Sequence, residues 1–401
     1  MQSAKAAWAV GLLLSGSTTA WAQEDPAALQ VHGFVSQGYI KTTQHNYLGK
    51  TERDQGSFDF TEVGINFTQP LGDKFRVGLQ VFAHDLGPLG NYAPQLDWYY
   101  LDYRAFDWLG FRAGKTKLPW GLYNESNDVD AGRVPILLPQ SVYPVSSREF
   151  LFAQTGGELY GELPLGGAGS LEYRLYGGTI FINPQDASAQ LREFEVPYEA
   201  GGRLMWQAPL EGLQLGASAQ VARFDFDFTP TPEQVMQYDM ADQLPADFDG
   251  TVRARLPFEL WVASAEYQWH GLLVAAEYGR QYVTYETNLV LPQTEIVNQN
   301  GYLMASYQVM PWFTPGLYYS AMFPNIDAER PEGTDQSPPS SYQHDVALTL
   351  RYDITPHWLA KLEGHYMHGT AGLNPQLNGG TSRDELEENW GVFLLKTTGY
   401  F

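Results

Sequence analysis

The chain contains no cysteine, so it can form neither a disulfide framework nor a cysteine-linked lipid anchor. It is short of base: 24 Lys and Arg stand against 46 Asp and Glu, a formal net charge of −22. That balance argues against a nucleic-acid partner. Long apolar runs are missing too, since no later stretch nears the roughly 18 consecutive apolar residues of a spanning helix. There is no Gly-x-Ser-x-Gly elbow, and His32, His84, His344, His357, His365 and His368 are scattered. An enzyme is not expected, because catalysis needs a nucleophile, a base and an orienting group held together. His365 and His368, three apart, fall on opposite faces of a strand and make no metal pair. Neither a cofactor nor a metal is expected.

The beginning of the sequence has a separate logic. Lys5 precedes a short apolar stretch, Ala6 to Leu14, and Ala20-Trp21-Ala22 offers a small-x-small cleavage site. Residues 1–22 read as a secretory signal peptide, too short and wrongly flanked for a membrane anchor. The remainder, 23–401, is expected to form one exported domain. Its aromatic content of 14%, with 25 Tyr and 11 Trp, suits a protein that meets membrane–water interfaces.

From about Gln30 onward one unit repeats: a strand of period-two alternation, then a connection that is alternately short and long. Sixteen strands are expected, over 30–41, 57–69, 74–85, 95–105, 109–115, 150–163, 170–182, 198–208, 212–228, 252–269, 272–287, 299–309, 312–322, 342–353, 357–368 and 389–401. Short links such as Pro70-Leu71-Gly72-Asp73, His270-Gly271 and Thr355-Pro356 carry turn-forming residues. Lipid offers no hydrogen-bond partners, so a spanning sheet must close on itself, with tight turns at one rim and longer loops at the other. A soluble β-sandwich has no reason to sort its connections this way. The expected fold is all-β, a transmembrane antiparallel up-and-down β-barrel. On the tenth strand Trp261, Ala263 and Ala265 alternate with Ser264 and Glu266; on the third, Val77, Leu79 and Val81 alternate with Arg76 and Gln80. Ring closure turns the apolar set outward to lipid and the polar set inward.

A ring of that size leaves a channel, whereas eight strands would fill with side chains. The inward set includes Glu62, Arg76, Asp102, Arg104, Arg112, Glu158, Glu172, Arg174, Arg203, Glu266, Glu277, Lys361, Glu363 and Lys396. Burying so many ions without water costs several kcal/mol each, so a water-filled lumen is expected. The longest connection, 116–149, holds Val134-Pro135-Ile136-Leu137-Leu138-Pro139, apolar enough to seek the inner wall. Glu125, Asp128, Asp130 and Arg133 lie on it. With Arg76, Asp102, Arg104, Arg112, Glu158, Arg174 and Arg203 on the wall, and Lys115 and Lys117 at its entry, they form the expected pore-lining constriction. Loop carboxylates facing wall arginines would set up a transverse field. The competing reading pairs those arginines with Asp102, Glu158 or Glu172 merely to hold the wall together.

Gly114-Lys115-Thr116-Lys117-Leu118-Pro119-Trp120-Gly121-Leu122, leaving a strand directly, resembles a segment of outer-membrane porins of the phosphate-selective porin O/P group. The terminal Tyr400-Phe401 is similar to the last-strand aromatic signal of porins more broadly. The resemblance implies a homotrimer in the Gram-negative outer membrane, reached through the periplasm, with the third loop narrowing each pore. Departing from that group, the chain has few lysines and strongly acidic loops. The expected function is a porin passing small hydrophilic solutes and ions by passive diffusion, in contact with outer-membrane lipid and lipopolysaccharide. Two alternatives stand beside it: a substrate-specific channel for phosphate or another anion, a sugar or a dicarboxylate, and a non-conducting barrel acting as adhesin or envelope scaffold.

Overall fold

A computed structural model of the chain describes residues 28–51, 56–87, 90–181, 191–291, 293–327 and 337–401. The expected signal peptide lies outside the described residues. Sixteen antiparallel strands form one closed ring in which each pairs with its sequence neighbours and β1 returns to β16. The strands are β1 (Gln30–Thr42), β2 (Thr61–Leu71), β3 (Phe75–Asp85), β4 (Gln95–Phe106), β5 (Leu109–Lys117), β6 (Ala153–Pro164), β7 (Ser170–Thr179) and β8 (Leu191–Gln207). They continue as β9 (Leu213–Phe228), β10 (Val252–Trp269), β11 (Leu272–Thr287), β12 (Thr294–Tyr307), β13 (Phe313–Phe323), β14 (Gln343–Thr355), β15 (Trp358–Gly369) and β16 (Asn389–Tyr400). The seam runs from Phe34 opposite Tyr400 to Thr42 opposite Val392. Gly33 and Phe401 extend it by exchanging backbone hydrogen bonds of 3.1 and 3.0 Å. No sheet edge is left open, the condition for a β-sheet to sit in hydrocarbon.

Side-chain direction follows the alternation read from the sequence. Val35, Leu79, Leu101, Leu175, Leu204 and Leu348 are exposed on the outer face. Such a belt is unstable in water and stable against acyl chains. At the short-turn rim Phe75, Trp108, Trp269, Trp312, Trp358 and Phe401 form an exposed aromatic girdle. Tyr99, Tyr285, Tyr319 and Tyr366 do so near the long-loop rim. Ser264, Glu266, Gln80 and Thr398 turn inward and are buried. The His270-Gly271 link between β10 and β11 has φ of +46° and +84°; two consecutive positive φ values give the tight hairpin whose twist matches the strands.

Several bounds differ from the sequence reading; β2, for one, begins at Thr61 rather than near 57. Strand β8 begins at Leu191 rather than near 198, because the ladder passes Pro197 through a bulge between Glu195 and Tyr198. Proline cannot donate to a ladder, and a bulge is where a strand tolerates it. Strand β12 begins at Thr294 rather than near 299. Strand β6 begins at Ala153, since Arg148–Leu151 form a single helical turn, α1. The wall is consequently uneven: β8 to β11 run 16 to 18 residues, whereas β2 to β5 run 9 to 12. The connection between β9 and β10 carries α2 (Pro232–Met240), opened by a capping box between Thr231 and Gln234.

Candidate functional site

The connection 118–152 packs against the inner faces of strands around most of the ring. Its apolar residues Leu118, Trp120, Ile136, Leu137, Leu138, Val142 and Tyr143 are buried. Leu118, Trp120, Leu138, Val142 and Tyr143 join a cluster with Ala222, Val262, Ala275, Tyr302 and Tyr318 of the wall. Ile136 and Leu137 join one with Ile40, Phe60, Met367 and Leu394. Full burial of a Leu or Ile stabilises by about 1.5–3 kcal/mol, which is why this segment lies against wall rather than water.

Polar contacts fix its height. Glu363 of β15 accepts the backbone N–H groups of Ile136 and Leu137 at 2.7 and 2.9 Å. Glu277 of β11 accepts the Leu122 N–H at 2.9 Å and also the Tyr143 hydroxyl. The Tyr123 hydroxyl donates to Glu266 of β10 at 2.6 Å, and the Gly121 N–H to Ser218 of β9 at 3.0 Å. Wall carboxylates thus take up loop N–H and O–H groups that would otherwise be buried unpaired, each worth about 1–3 kcal/mol.

Loop carboxylates land on wall cations. Glu125 bonds Arg174 of β7 and lies 3.2 Å from Arg203 of β8. Asp128 accepts from Lys117 and from Gln80 of β3, both at 2.6 Å. Asp130 accepts from Lys361 at 2.9 Å and Thr398 at 2.7 Å, with Lys396 3.5 Å away. Burial alone would raise the Glu125 carboxyl, but Arg174 and Arg203 outweigh it and hold it down at about 2. Asp128 and Asp130 are held below the usual carboxylate range for the same reason, burial being overcome chiefly by Lys117 and by Lys361 respectively. Burial and then Glu277 push the Tyr143 hydroxyl well up. Arg133 knits the loop internally, donating to the Asn127 side chain and the Ile136 carbonyl, both at 2.9 Å.

On β3 to β8 a ladder of alternating charge runs round the wall. Arg76 donates to Asp102 at 2.6 Å, and Tyr160 reaches the same carboxylate at 2.5 Å. Arg112 lies 3.8 Å from Asp102 and 3.4 Å from Glu158, between the rings of Tyr100 and Tyr160. Glu158 also pairs with Arg174, and Arg203 with Glu172 at 2.9 Å.

Two expected constriction residues are elsewhere. Lys115 stands opposite Tyr99 in the outward register and donates to the Leu96 carbonyl at 3.0 Å on the outer face. Three positions from inward Arg112, it faces away from the lumen. Arg104 lies at the short-turn rim, 4.0 Å from Asp107, with no loop residue beside it among the contacts of the described residues. Nor do the two sets of charge oppose each other across water: they touch. Lys361, Lys396 and Glu363 are fully buried beneath the loop, so this part of the inner charge is dry and paired. Gln80, Tyr143 and Thr398 were not singled out from the sequence, because an uncharged polar residue on an inward strand position or in a loop carries no signal of what will cover it. His365, held between Asp345 at 3.0 Å and Glu363 at 3.1 Å, is closed off from solvent and braces the wall.

No protein-family model and no curated relative matches the sequence. Among solved structures the chain is similar to an anion-selective porin from Comamonas acidovorans (10% identity, 93% of this chain and 99% of that one, TM-score 0.54). It is similar too to the outer membrane channel DcaP of Acinetobacter baumannii (12%, 93% and 97%, TM-score 0.54). OmpT, an outer membrane protein of Vibrio cholerae solved in a trimer form, matches at 12% identity over 93% and 99%, TM-score 0.55. The likeness is one of fold, and the fold is the closed sixteen-stranded barrel of outer-membrane porins.

Proposed function

We propose that the chain is an outer-membrane porin passing small hydrophilic solutes and ions passively, with the 118–152 loop narrowing the lumen. The observation that carries this reading is the loop itself: an apolar segment pinned to the inner wall of a closed, lipid-facing ring. A loop so placed subtracts area from the hole while leaving the wall intact. Among the charges in reach of a passing solute are then Arg76, Glu125 and Glu172, whose side chains are 45%, 28% and 40% exposed. Planar-bilayer recording tests it. The purified protein should give discrete conductance steps, and deletion of 128–138 should enlarge them; silence in the bilayer would favour a scaffold or adhesin.

With a net charge of −22, reversal potentials in a salt gradient should show mild cation preference. A strong anion preference would mean that the wall arginines dominate, and would support the anion-specific alternative. The likeness to the phosphate-selective group stays within this proposal, weakened by the outward position of Lys115. Assembly as a homotrimer is part of this proposal and is supported by the trimer form of OmpT; contact with lipopolysaccharide is proposed with it.

A further inference from the structure

Three glycine pairs, Gly156-Gly157, Gly177-Gly178 and Gly201-Gly202, lie on consecutive strands β6, β7 and β8. As sequence they read as close packing or barrel bends. In the structure Gly156, Gly178 and Gly201 share the inner face with Gln154, Tyr176 and Arg203, and the space that they leave is used. A Cβ on Gly178 would fall 1.9 Å from Gln154 Oε1, and one on Gly201 would fall 2.4 Å from the Tyr176 hydroxyl. Gly178 stands directly opposite Glu199, and Gly201 directly opposite Gln220. Gln220 Nε2 donates to Glu199 Oε1 at 2.6 Å. The ends of four side chains from four adjacent strands are thereby brought into neighbouring positions on the wall.

Each of the four presents one oxygen without a hydrogen-bond partner: Gln154 Oε1, Tyr176 Oη, Glu199 Oε2 and Gln220 Oε1. Their residues are 1%, 6%, 1% and 2% exposed. The amide groups are oriented by their nitrogens, Gln154 Nε2 on Thr116 Oγ1 at 3.1 Å and Gln220 Nε2 on the Glu199 carboxylate. Glu199 has no Lys, Arg or His partner among the described residues, whereas buried Asp102, Asp128, Asp130 and Glu158 all have one. Buried Glu266 and Glu277 also lack a cation there, but each accepts several N–H or O–H groups, while Glu199 Oε2 accepts none. A buried carboxylate without a cation is costly, and buried oxygens are normally satisfied.

We propose that these four oxygens form a site for a monovalent alkali cation in the inner wall of β6 to β9. The donor set is hard oxygen throughout, which selects alkali and alkaline-earth ions over transition metals. It holds a single carboxylate, too little charge for the calcium sites that gather several carboxylates among six to eight oxygens. One water is a poorer fit, because it has two protons to offer three acceptor-only oxygens. A cation compensates the Glu199 charge and uses all four lone pairs at once. The site rests on barrel geometry alone and stands whether or not the chain conducts.

Thermal unfolding of the full chain in detergent, in chlorides of lithium, sodium, potassium and rubidium against N-methylglucamine chloride at equal ionic strength, tests it. The expected result is that one alkali ion raises the unfolding temperature by several degrees and that Glu199→Gln abolishes the rise. Crystals of the native protein grown in rubidium chloride should show an anomalous peak between Glu199 and Gln220. An unfolding temperature indifferent to cation identity, with no such peak, would overturn the site. Glu199→Gln as stable as the native protein in every salt would overturn it as well, by showing that the carboxyl is held protonated. Should that variant fail to fold, the native salt series and the rubidium crystals still decide.

Discussion

The inner loop is pinned by the same chemistry in two different surroundings. At β7 and β8, Glu125 meets Arg174 and Arg203 with its side chain still 28% exposed and Glu172 alongside at 40%. At β15 and β16, Asp130 meets Lys361 and Lys396, and all three side chains are at 0%. A carboxylate–cation pair in contact with water is worth up to about 1 kcal/mol. A buried pair adds little relative to an apolar core but costs about 3–5 kcal/mol when one partner is removed. One anchor of the loop, at Glu125, is therefore an adjustable contact and the other, at Asp130, a structural commitment. Charge that a solute can sense belongs to the first anchor.

Breaking the dry anchor should have the largest effect. Asp130→Ala leaves the Lys361 ammonium without its carboxylate and Lys396 with Glu62 alone, and about 3–5 kcal/mol of stability should be lost. Thermal unfolding in detergent reads this, and a loss below about 1 kcal/mol would put the two anchors on an equal footing. Deleting 128–138 removes that anchor together with the apolar cover of Glu363, and its conductance change should exceed that of any single substitution. Glu125→Gln comes next. It should cost about 1 kcal/mol or less and move the reversal potential towards anions, because Arg174 and Arg203 lose a counter-charge. Acid titration sharpens the contrast further. The folded Glu125 carboxyl titrates at about 2, below its ordinary 4.5, so its contribution is complete above 4.5 and is lost as pH falls towards 2. The stability that Glu125 contributes should therefore stay flat from neutral pH to about 5 and be lost in that acid window. In Glu125→Gln the acid loss of stability should be smaller by that contribution. Lys115→Gln should do least, leaving conductance and selectivity untouched, since that side chain lies on the outer face.

Much of the barrel could be read from alternation because lipid leaves a spanning strand so little freedom. Val77, Leu79 and Val81 against Arg76 and Gln80 is a pattern with one physical outcome once the sheet closes. The length of β8 could not be read, since Pro197 and the acidic Glu193 and Glu195 imitate a loop, and the bulge that accommodates the proline is a tertiary event. In the loop, apolar content around Ile136 pointed to the wall, but which wall groups would receive it was hidden. Glu363 and Glu277 look like any inward carboxylate until backbone N–H groups arrive. Lys115 teaches the opposite lesson. Counting from Arg112 sends it outward, and the resemblance of its segment to a known family had suggested otherwise.

The seam also constrains how the molecule comes into being. Phe34 finds Tyr400 and Gly33 finds Phe401, so the first strand must wait for the last residues before the circle can shut. Until then two rows of unmet amide and carbonyl groups bar the ribbon from oil. Assembly is accordingly tied to the arrival of the sixteenth strand: a product cut short of it has nowhere to settle.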